Sequence, residues 1–304
     1  MVNTTDNIRF QEITDETLMI YQVRSDILKL TYNYFGEKGF RLVDPPTLHE
    51  QIRNKKSEVY ISSLNGMYSL SSSNALYMGA YAAIFGNVYT ISTCFRDEND
   101  LVNHLLEFKM LEVEILKCSF DELLDCVEFY IRFILEGISE KYSTTVLGIR
   151  VKHLLDTFKP LRVPYNEFID EINKHTESVV DFGIDLSTID TIVSQQIDRP
   201  IFIIDYPFPL ATWTAKPKAK SIAYAFNLIL PESFGELAEG CERNNDIDVL
   251  NYKFKCANIE NLEWYINATE KISTNRSGFG IGIDRLVRWI VDADDIRKTN
   301  LFSR

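Results

Sequence analysis

The sequence predicts an α+β fold with a mostly antiparallel β-sheet flanked by helices. Strand-like segments follow one another along the chain and helical segments interrupt them irregularly, which argues against a doubly wound parallel sheet. Of the 304 residues, 45% are hydrophobic and 25% are charged, and these proportions are ordinary for a globular protein. Because the sequence shows no repeat, low-complexity stretch or linker, we expect a single domain over residues 1–304.

The first half of the chain predicts both helices and strands. Apolar residues recur with helical spacing in the first segment, where Asp15 is a candidate N-cap and Gly39 is a typical residue to end the helix. The polar stretch 51–65 predicts a loop, and the polar stretch 98–106 predicts the turn of a hairpin. The predicted helices lie over 15–38, 74–85 and 121–136, and the predicted strands lie over 40–43, 67–70, 88–97 and 107–116.

The second half begins with a less regular region, about 141–196, which we expect to be a variable insert. Beyond it, three glycines alternate with apolar residues over 278–282 and precede the last predicted helix. The predicted strands lie over 200–205, 223–230 and 235–240, and the predicted helices lie over 258–272 and 284–291.

Charge and cysteine content argue against several classes of protein. The 32 Lys and Arg residues against 44 Asp and Glu residues give a net charge of −12, which disfavours nucleic-acid binding through a basic face. Five cysteines without Cys-x-x-Cys spacing indicate neither a disulfide framework nor a zinc site. Apolar runs are far shorter than the roughly 20 residues of a membrane span, and the N-terminus lacks signal-peptide features, so we expect a cytoplasmic protein.

The first group of candidate site residues lies on the predicted hairpin. Residues two apart share a strand face, so Arg96 points with Glu98 and Glu112 points with Glu114. If the strands pair, these side chains and Phe108 line one cleft, in which the arginine can hold a phosphate or a carboxylate. The alternative is a surface ladder of salt bridges with Phe108 in the core.

The second group is the glycine run 278–282 and the arginine beyond it. Glycines let the backbone approach a ligand, and a helix begins directly after them. Arg285 lies in the first turn of that helix, where its charge opposes the helix dipole, and this placement points to an anionic ligand. The alternative is a tight turn between a strand and a helix.

The third group contains Glu236, which follows a glycine on a predicted strand, and Arg243, which lies beyond a glycine loop. The carboxylate could hold a metal ion, and the guanidinium could hold a second carboxylate. The alternative is solvated surface charge. Between them, Cys241 could form a thioester, although a packed small side chain is far more common.

Taken together and in this order, the three groups resemble the catalytic domain of the class II aminoacyl-tRNA synthetases, in the asparaginyl/aspartyl subgroup. Phe95-Arg-Asp-Glu98 with His104-Leu-Leu-Glu-Phe108 is similar to motif 2 of that family, and 278–285 is similar to motif 3. Segment 39–48 is similar to motif 1, which forms the dimer interface in the family. The short segment before the first helix predicts no anticodon-binding OB domain, an organisation similar to that of archaeal asparagine synthetases related to this subgroup.

The resemblance implies a set of residues that bind ATP and Mg²⁺. Arg96 would hold the α-phosphate, whose charge grows in the transition state. Glu98 would contact adenine, and Phe108 would stack on its ring. The outer phosphates would be reached by His104 and Arg285, Gly282 would lie against the nucleotide, and Glu236 would bind Mg²⁺.

The resemblance also implies residues that bind the amino acid. Arg243 would hold its side-chain carboxylate or amide, and Glu112 would face its amino or amide group. Ser73 matches a serine just before the helix that lines the amino-acid pocket in the family, and the alternative for this residue is a plain helix N-cap.

Three positions depart from the family pattern. Asn227 stands where relatives usually carry an aspartate that binds magnesium, and an amide is a weaker ligand. Asn103 replaces an arginine before the motif-2 histidine, and Met78 replaces the lysine that neutralises aspartate in aspartate-specific relatives. These differences favour asparagine-type recognition or a changed substrate.

The implied reaction is activation of an aspartate- or asparagine-like amino acid as an acyl-adenylate, followed by transfer to ammonia or another small amine. Aspartate–ammonia ligation is the expected form, with tRNA an unlikely partner and a homodimer as the assembly. The alternatives are the same adenylation with another acid or acceptor, a synthetase paralogue that acts on tRNA, and a non-catalytic regulatory paralogue.

Overall fold

The computed structural model describes residues 9–10, 12–50, 58–64, 66–97, 103–175, 182–184, 186, 190–219, 221–259 and 262–303. The α-helices in this part are α1 (Asp15–Glu37), α2 (Ala75–Phe85), α3 (Phe120–Lys141), α4 (Val146–Thr157), α5 (Tyr165–His175), α6 (Asp190–Gln195), α7 (Ile247–Cys256), α8 (Glu263–Thr269) and α9 (Ile283–Val291). The strands are β1 (Arg9–Phe10), β2 (Arg41–Leu42), β3 (Leu48–Glu50), β4 (Tyr60–Ser63), β5 (Gly66–Leu70), β6 (Val88–Phe95), β7 (Glu107–Leu116), β8 (Leu161–Pro164), β9 (Ile201–Pro207), β10 (Ile222–Leu230), β11 (Gly235–Glu242), β12 (Arg276–Gly282) and β13 (Phe302–Ser303).

The centre of the fold is an eight-stranded sheet in the order β2-β6-β7-β12-β11-β10-β9-β8. The six inner strands pair antiparallel with their neighbours, while the edge pairs β2–β6 and β8–β9 are parallel. The predicted hairpin is present, with Cys94 opposite Phe108 and Phe95 opposite Glu107. This mostly antiparallel sheet, flanked by helices, confirms the predicted α+β class.

The two faces of the sheet carry different residues because side chains alternate along each strand. On β7, Leu111, Val113 and Ile115 belong to the main apolar core, together with residues of α1, α3, α4 and α9. The intervening Glu112 and Glu114 point to the opposite face, which α2, α7 and α8 cover in part. We call this the site face, because the cavity described below lies on it.

Polar side chains begin the two long helices of the core face. Thr14 caps α1 and exchanges hydrogen bonds with Thr17, so the prediction of Asp15 as N-cap was one residue late. Ser119 caps α3 through a capping box with Glu122. Gly39 follows the end of α1 with φ +76°, a conformation that suits glycine, as the sequence predicted.

Other boundaries also differ from the prediction. The region 141–196 contains α4, β8, α5 and α6, and β8 extends the central sheet. The predicted loop 51–65 contains β4, and α7 was not predicted. The glycine run 278–282 lies inside β12 and is not a turn. In the described part of the chain, no helix is both long and apolar enough to cross a membrane.

Candidate active site

A cavity of about 720 Å³ opens on the site face of the sheet. Its floor is formed by β7, β10, β11 and β12, and its walls include the start of α2, the loop 208–214 and α7. The lining includes seven residues that the sequence analysis named individually: Ser73, Met78, Arg96, Glu112, Asn227, Glu236 and Arg243.

Glu112 lies on β7 in the floor of the cavity and is tied to the start of α2. Ser73 Oγ donates to Glu112 Oε1 at 2.6 Å, and the backbone N–H of Asn74 lies 2.8 and 2.9 Å from its two oxygens. Only 3% of Glu112 is exposed, and this burial raises the pKa of its carboxyl group against the opposing effect of these hydrogen bonds. Asn74 is the N-cap residue of α2 but its side chain makes no capping hydrogen bond. Ser73 Oγ accepts from the backbone N–H of Ala75 at 3.2 Å, so this serine supports the first turn of α2 as well as binding Glu112.

Arg243 lies directly after β11 and lines the cavity beside Glu112. Its Nε and Nη2 atoms lie 3.1 Å from Glu114 Oε2, and its Nη1 donates to Thr214 Oγ1 at 3.1 Å. Glu114 is fully buried and pairs through its other oxygen with Arg276, at 2.6 Å. The arginine in the cavity therefore belongs to a buried cluster of two guanidinium groups and one carboxylate.

Arg96 enters the cavity from the end of β6. Its Nε donates to the backbone carbonyl of Ser72 at 3.2 Å, and its guanidinium carbon lies 5.4 Å from the centre of the Phe108 ring. A cation over an aromatic face within about 6 Å is attracted by the ring quadrupole. Phe108 thus lies against the guanidinium of Arg96 on the paired strand.

Glu236 and Asn227 form a second polar group where β10 and β11 pair. Asn227 Nδ2 donates to Glu236 Oε2, and Arg285 Nη1 donates to the backbone carbonyl of Glu236. Arg285 Nη2 also lies 2.9 Å from His104 Nε2, which can accept only when the imidazole is neutral with its proton on Nδ1. Arg285 therefore connects His104 to the edge of the cavity.

Glu236 provides one carboxylate ligand for a magnesium ion, and substrate phosphates would have to provide others. Among the described residues no cluster of three or more His, Cys, Asp or Glu side chains could hold a metal. Mg²⁺ is commonly bound by one or two carboxylates together with substrate phosphates, so Glu236 alone meets the minimum requirement. Asn227 would add an oxygen ligand only if its amide turned around, because its nitrogen faces Glu236 here.

Comparison with known proteins identifies the family. The model of the class II tRNA synthetases (D, K and N) matches residues 6–304. The chain belongs to this family. Among solved structures, asparaginyl-tRNA synthetase from Entamoeba histolytica, in complex with asparaginyl-adenylate, has a TM-score of 0.87 and 25% identity over 96% of this chain and 68% of its own. Its counterpart from Pyrococcus horikoshii, also with asparaginyl-adenylate, has a TM-score of 0.85 and 25% identity over 96% of this chain and 69% of its own.

These matches confirm three predictions: the class II synthetase family, its fold, and an enzyme of the ligase class. They do not test the roles of individual residues. Of the predicted site residues, Glu98 lies outside the described residues. Gly282 ends β12 and precedes α9.

The glycines of this class II chain serve different purposes. Gly278 and Gly280 are site-face positions of β12, opposite Glu114 and Glu112 on β7. A Cβ on Gly278 would lie 2.1 Å from Glu114 Oε2 and 2.4 Å from Arg243 Nη2, so this glycine makes room for the ion pair. A Cβ on Gly282 would meet only Arg285, at 3.6 Å, so no neighbour requires glycine there.

Sequence reasoning missed two contributions to the site. Glu114 was placed in the open cleft with Glu112 but is fully buried and does not line the cavity, and Arg276 was not singled out. Arg276 lies two residues before Gly278 and therefore on the same strand face. An arginine within an otherwise apolar and glycine-rich strand was the signal that could have found it.

Proposed function

We propose that this class II synthetase activates an amino acid with an aspartate- or asparagine-like side chain as an acyl-adenylate. One observation carries the proposal: Glu112 and Arg243, a buried carboxyl group and a buried guanidinium, face the same cavity as Arg96 and Glu236. The first pair suits an amino acid with a polar side chain, and the second suits a nucleotide with its metal. The solved relatives named above hold asparaginyl-adenylate.

In the proposed reaction, a substrate carboxylate oxygen attacks the α-phosphorus of ATP. A P–O bond forms to this oxygen, and the P–O bond to the β-phosphate breaks and releases pyrophosphate. Arg96 neutralises the charge that grows on the α-phosphate, and its contacts with Ser72 and Phe108 hold it ready for this task. No protein nucleophile is needed, because positioning of the two substrates accounts for most of the rate enhancement.

The remaining predicted residues have supporting roles in this proposal. Phe108 would stack on the adenine, and Gly282 would allow the nucleotide to approach the end of β12. His104 and Arg285 would bind the outer phosphates, and Glu236 would hold Mg²⁺. When bound, the metal would neutralise charge on the phosphates.

The amino acid would bind between Glu112 and Arg243. Glu112 would accept hydrogen bonds from its amino or amide group, while Ser73 orients the carboxylate of Glu112. Arg243 would donate to its side-chain oxygen. Met78 lines the cavity at the position where aspartate-specific relatives carry a lysine. The methionine lacks the positive charge that neutralises an aspartate side chain, which favours asparagine-type recognition or a changed substrate.

For the second step we propose ammonia or another small amine as the acceptor, with aspartate as the acid. The amine nitrogen would attack the acyl carbonyl and displace AMP. The net charge of −12 supports an acceptor without a phosphate backbone. The second candidate is tRNA, which the names of the solved asparaginyl-tRNA synthetases favour.

The test is ATP–pyrophosphate exchange with each of the standard amino acids, followed by AMP release with ammonium or with total tRNA. We expect exchange with aspartate or asparagine and an ammonium-dependent amide product. If product forms on tRNA and not with ammonium, the acceptor is tRNA and the proposal of an amine acceptor is wrong. Absence of exchange with every amino acid would sink the adenylation proposal and leave a non-catalytic role.

We also expect a homodimer. Leu42, Ile84 and Phe85 are exposed at the β2 edge and the end of α2, near the segment that resembles motif 1. Light scattering at micromolar concentration measures the mass directly, and a monomer there would refute this expectation.

A further inference from the structure

Arg276 is a large buried side chain that the proposed reaction does not use. It lies at the start of β12 with 1% of its surface exposed, on the site face but outside the cavity lining. Buried arginines are rare because the charge loses its hydration, so each needs several partners in place.

The guanidinium of Arg276 is held from three sides. Its Nη1 donates to Glu114 Oε1 at 2.6 Å, and its Nη2 donates to Tyr265 Oη at 2.9 Å and to Thr269 Oγ1 at 3.3 Å. Its Nε donates to Asn245 Oδ1 at 3.3 Å. Strand β7, helix α8 and the segment before α7 together fix its orientation.

Helix α2 also makes space for this guanidinium. A Cβ on Gly79 would lie 2.7 Å from Arg276 Nη1. Since α2 begins next to Ser73 and Asn74, which bind Glu112, the packing of Arg276 and that of the cavity wall depend on the same helix.

Glu114 divides its two oxygens between two arginines. Oε1 accepts from Arg276, and Oε2 faces Nε and Nη2 of Arg243. With Arg276 in place, Arg243 can reach only one oxygen of this carboxylate. Without it, the carboxylate could turn and accept Arg243 through both oxygens, which would pull the guanidinium away from the cavity.

The remaining contacts of Arg243 show why its orientation matters. A guanidinium has five N–H groups. Nε donates to Glu114 Oε2, and Nη1 donates to Thr214 Oγ1 and Cys241 Sγ. Nη2 lies 3.1 Å from Glu114 Oε2 as part of the ion pair and is the nitrogen with capacity left to bind a ligand in the cavity. Binding through Nη2 depends on the rotation of Arg243 against Glu114.

The cluster also has an excess of one positive charge, because two arginines share one carboxylate. Such an arrangement is costly to bury, and replacing buried charges by apolar residues often stabilises a protein. The cluster lies beside Glu112 and the cavity, so a role in substrate binding explains these buried charges better than a contribution to stability.

We propose that Arg276 is a positioning residue for the amino-acid subsite. By holding Oε1 of Glu114, it keeps Arg243 in the orientation that presents Nη2 to the substrate side chain. This inference rests on the proposed adenylation function and adds to it a residue that touches neither substrate.

The test compares Arg276→Met with the wild-type chain in ATP–pyrophosphate exchange, using the amino acid that supports exchange. We expect the KM for the amino acid to rise by about 10–100-fold, the range for residues that support a site through another residue. We expect the KM for ATP to change by less than about 2-fold, because Arg96 and Glu236 lie outside the cluster. Arg276→Lys should give the same pattern with a smaller rise.

A double-mutant cycle with Arg243→Met tests whether Arg276 acts through Arg243. In that background, Arg276→Met should raise the KM for the amino acid by less than about 2-fold. Arg132→Met is the control for loss of an arginine elsewhere in the fold, because Arg132 is half-buried and donates to the backbone carbonyls of Leu155 and Phe158, away from the cavity. It should leave both KM values unchanged.

Equal changes in both KM values, or additive effects in the cycle, would overturn the inference while leaving the adenylation proposal intact. If Arg276→Met does not fold, Arg276→Lys decides the same question through the ratio of its two KM values. No exchange by the wild-type chain would instead overturn the proposed function itself.

Discussion

At the residue scale, Arg96 provides the most direct test of the nucleotide end of the site. Arg96→Ala removes the positive charge proposed to lie at the α-phosphate, so exchange should fall by about 10²–10³-fold or more. Phe108→Leu keeps this charge and should weaken ATP binding more than turnover. Retained exchange by Arg96→Ala would refute the motif-2 assignment.

Glu112 makes a prediction about pH. Burial raises the pKa of its carboxyl group above the ordinary value of 4.5, so the fold favours the protonated form. The resulting stabilisation is complete below the unfolded pKa and is lost as pH rises through the folded pKa. Glu112→Gln cannot ionise, so the Tm of the unliganded wild-type chain should fall relative to this variant as pH rises above 4.5.

Glu122 is a suitable control for the Glu112 measurement, because hydrogen bonds from Ser119 lower the pKa of this exposed carboxyl group. The Tm difference between wild type and Glu122→Gln should therefore change in the opposite direction, with the wild type gaining as pH rises. If the Tm difference between wild type and Glu112→Gln does not change with pH, burial does not raise the pKa of the Glu112 carboxyl group.

At the element scale, the glycines of β12 are expected to serve two purposes: Gly278 makes room for the Glu114–Arg243 pair, and Gly282 allows the nucleotide to approach. Gly278→Ala places a Cβ into the Glu114–Arg243 pair and should cost about 1–3 kcal/mol of stability, as overpacking does. It should also raise the KM for the amino acid more than the KM for ATP. Unfolding in denaturant and substrate titrations in the exchange assay measure the two effects.

Gly282→Ala is the matched control in the same strand. Its Cβ would be in ordinary contact with Arg285 alone, and its φ of −72° suits alanine, so stability should stay within about 0.5 kcal/mol of wild type. If Gly282 lies against the nucleotide, this variant should lose ATP affinity selectively. Loss of amino-acid affinity by Gly282→Ala would contradict the division proposed here.

Elements with a clear period were predictable and others were not. The bounds of β7 were predicted as they are observed, because its apolar residues alternate with charged ones. In β12 three site-face positions are glycine and carry no side chain to show a strand pattern, so the run 278–282 was not among the predicted strands. Short edge strands such as β8 are held in their conformation by pairing with the neighbouring strand, and their local sequence carries no pattern that predicts a strand.

At the scale of the whole molecule, both substrates should stabilise the fold through one cavity. Ligand at 100 times its Kd adds about 2.7 kcal/mol to the free energy of unfolding. We expect ATP with Mg²⁺ to raise the Tm, the amino acid to raise it further, and Arg96→Ala to remove only the shift with ATP. Differential scanning fluorimetry with each ligand alone and together checks this, and a shift by ATP that survives in Arg96→Ala would contradict it.

The sequence by itself determined the family, the fold class and several of the charged and polar residues that line the cavity. It could do so because three motifs occur in the order and spacing that the class II fold requires, and each motif carries charges that are costly without a ligand. Only the tertiary structure decided how the charges are paired. Glu114, Arg243 and Arg276 lie on three strands or strand ends, and antiparallel pairing of β7, β12 and β11 brings them together. A strand pattern specifies the face on which a charge lies, whereas its partner depends on the register between strands far apart in the sequence.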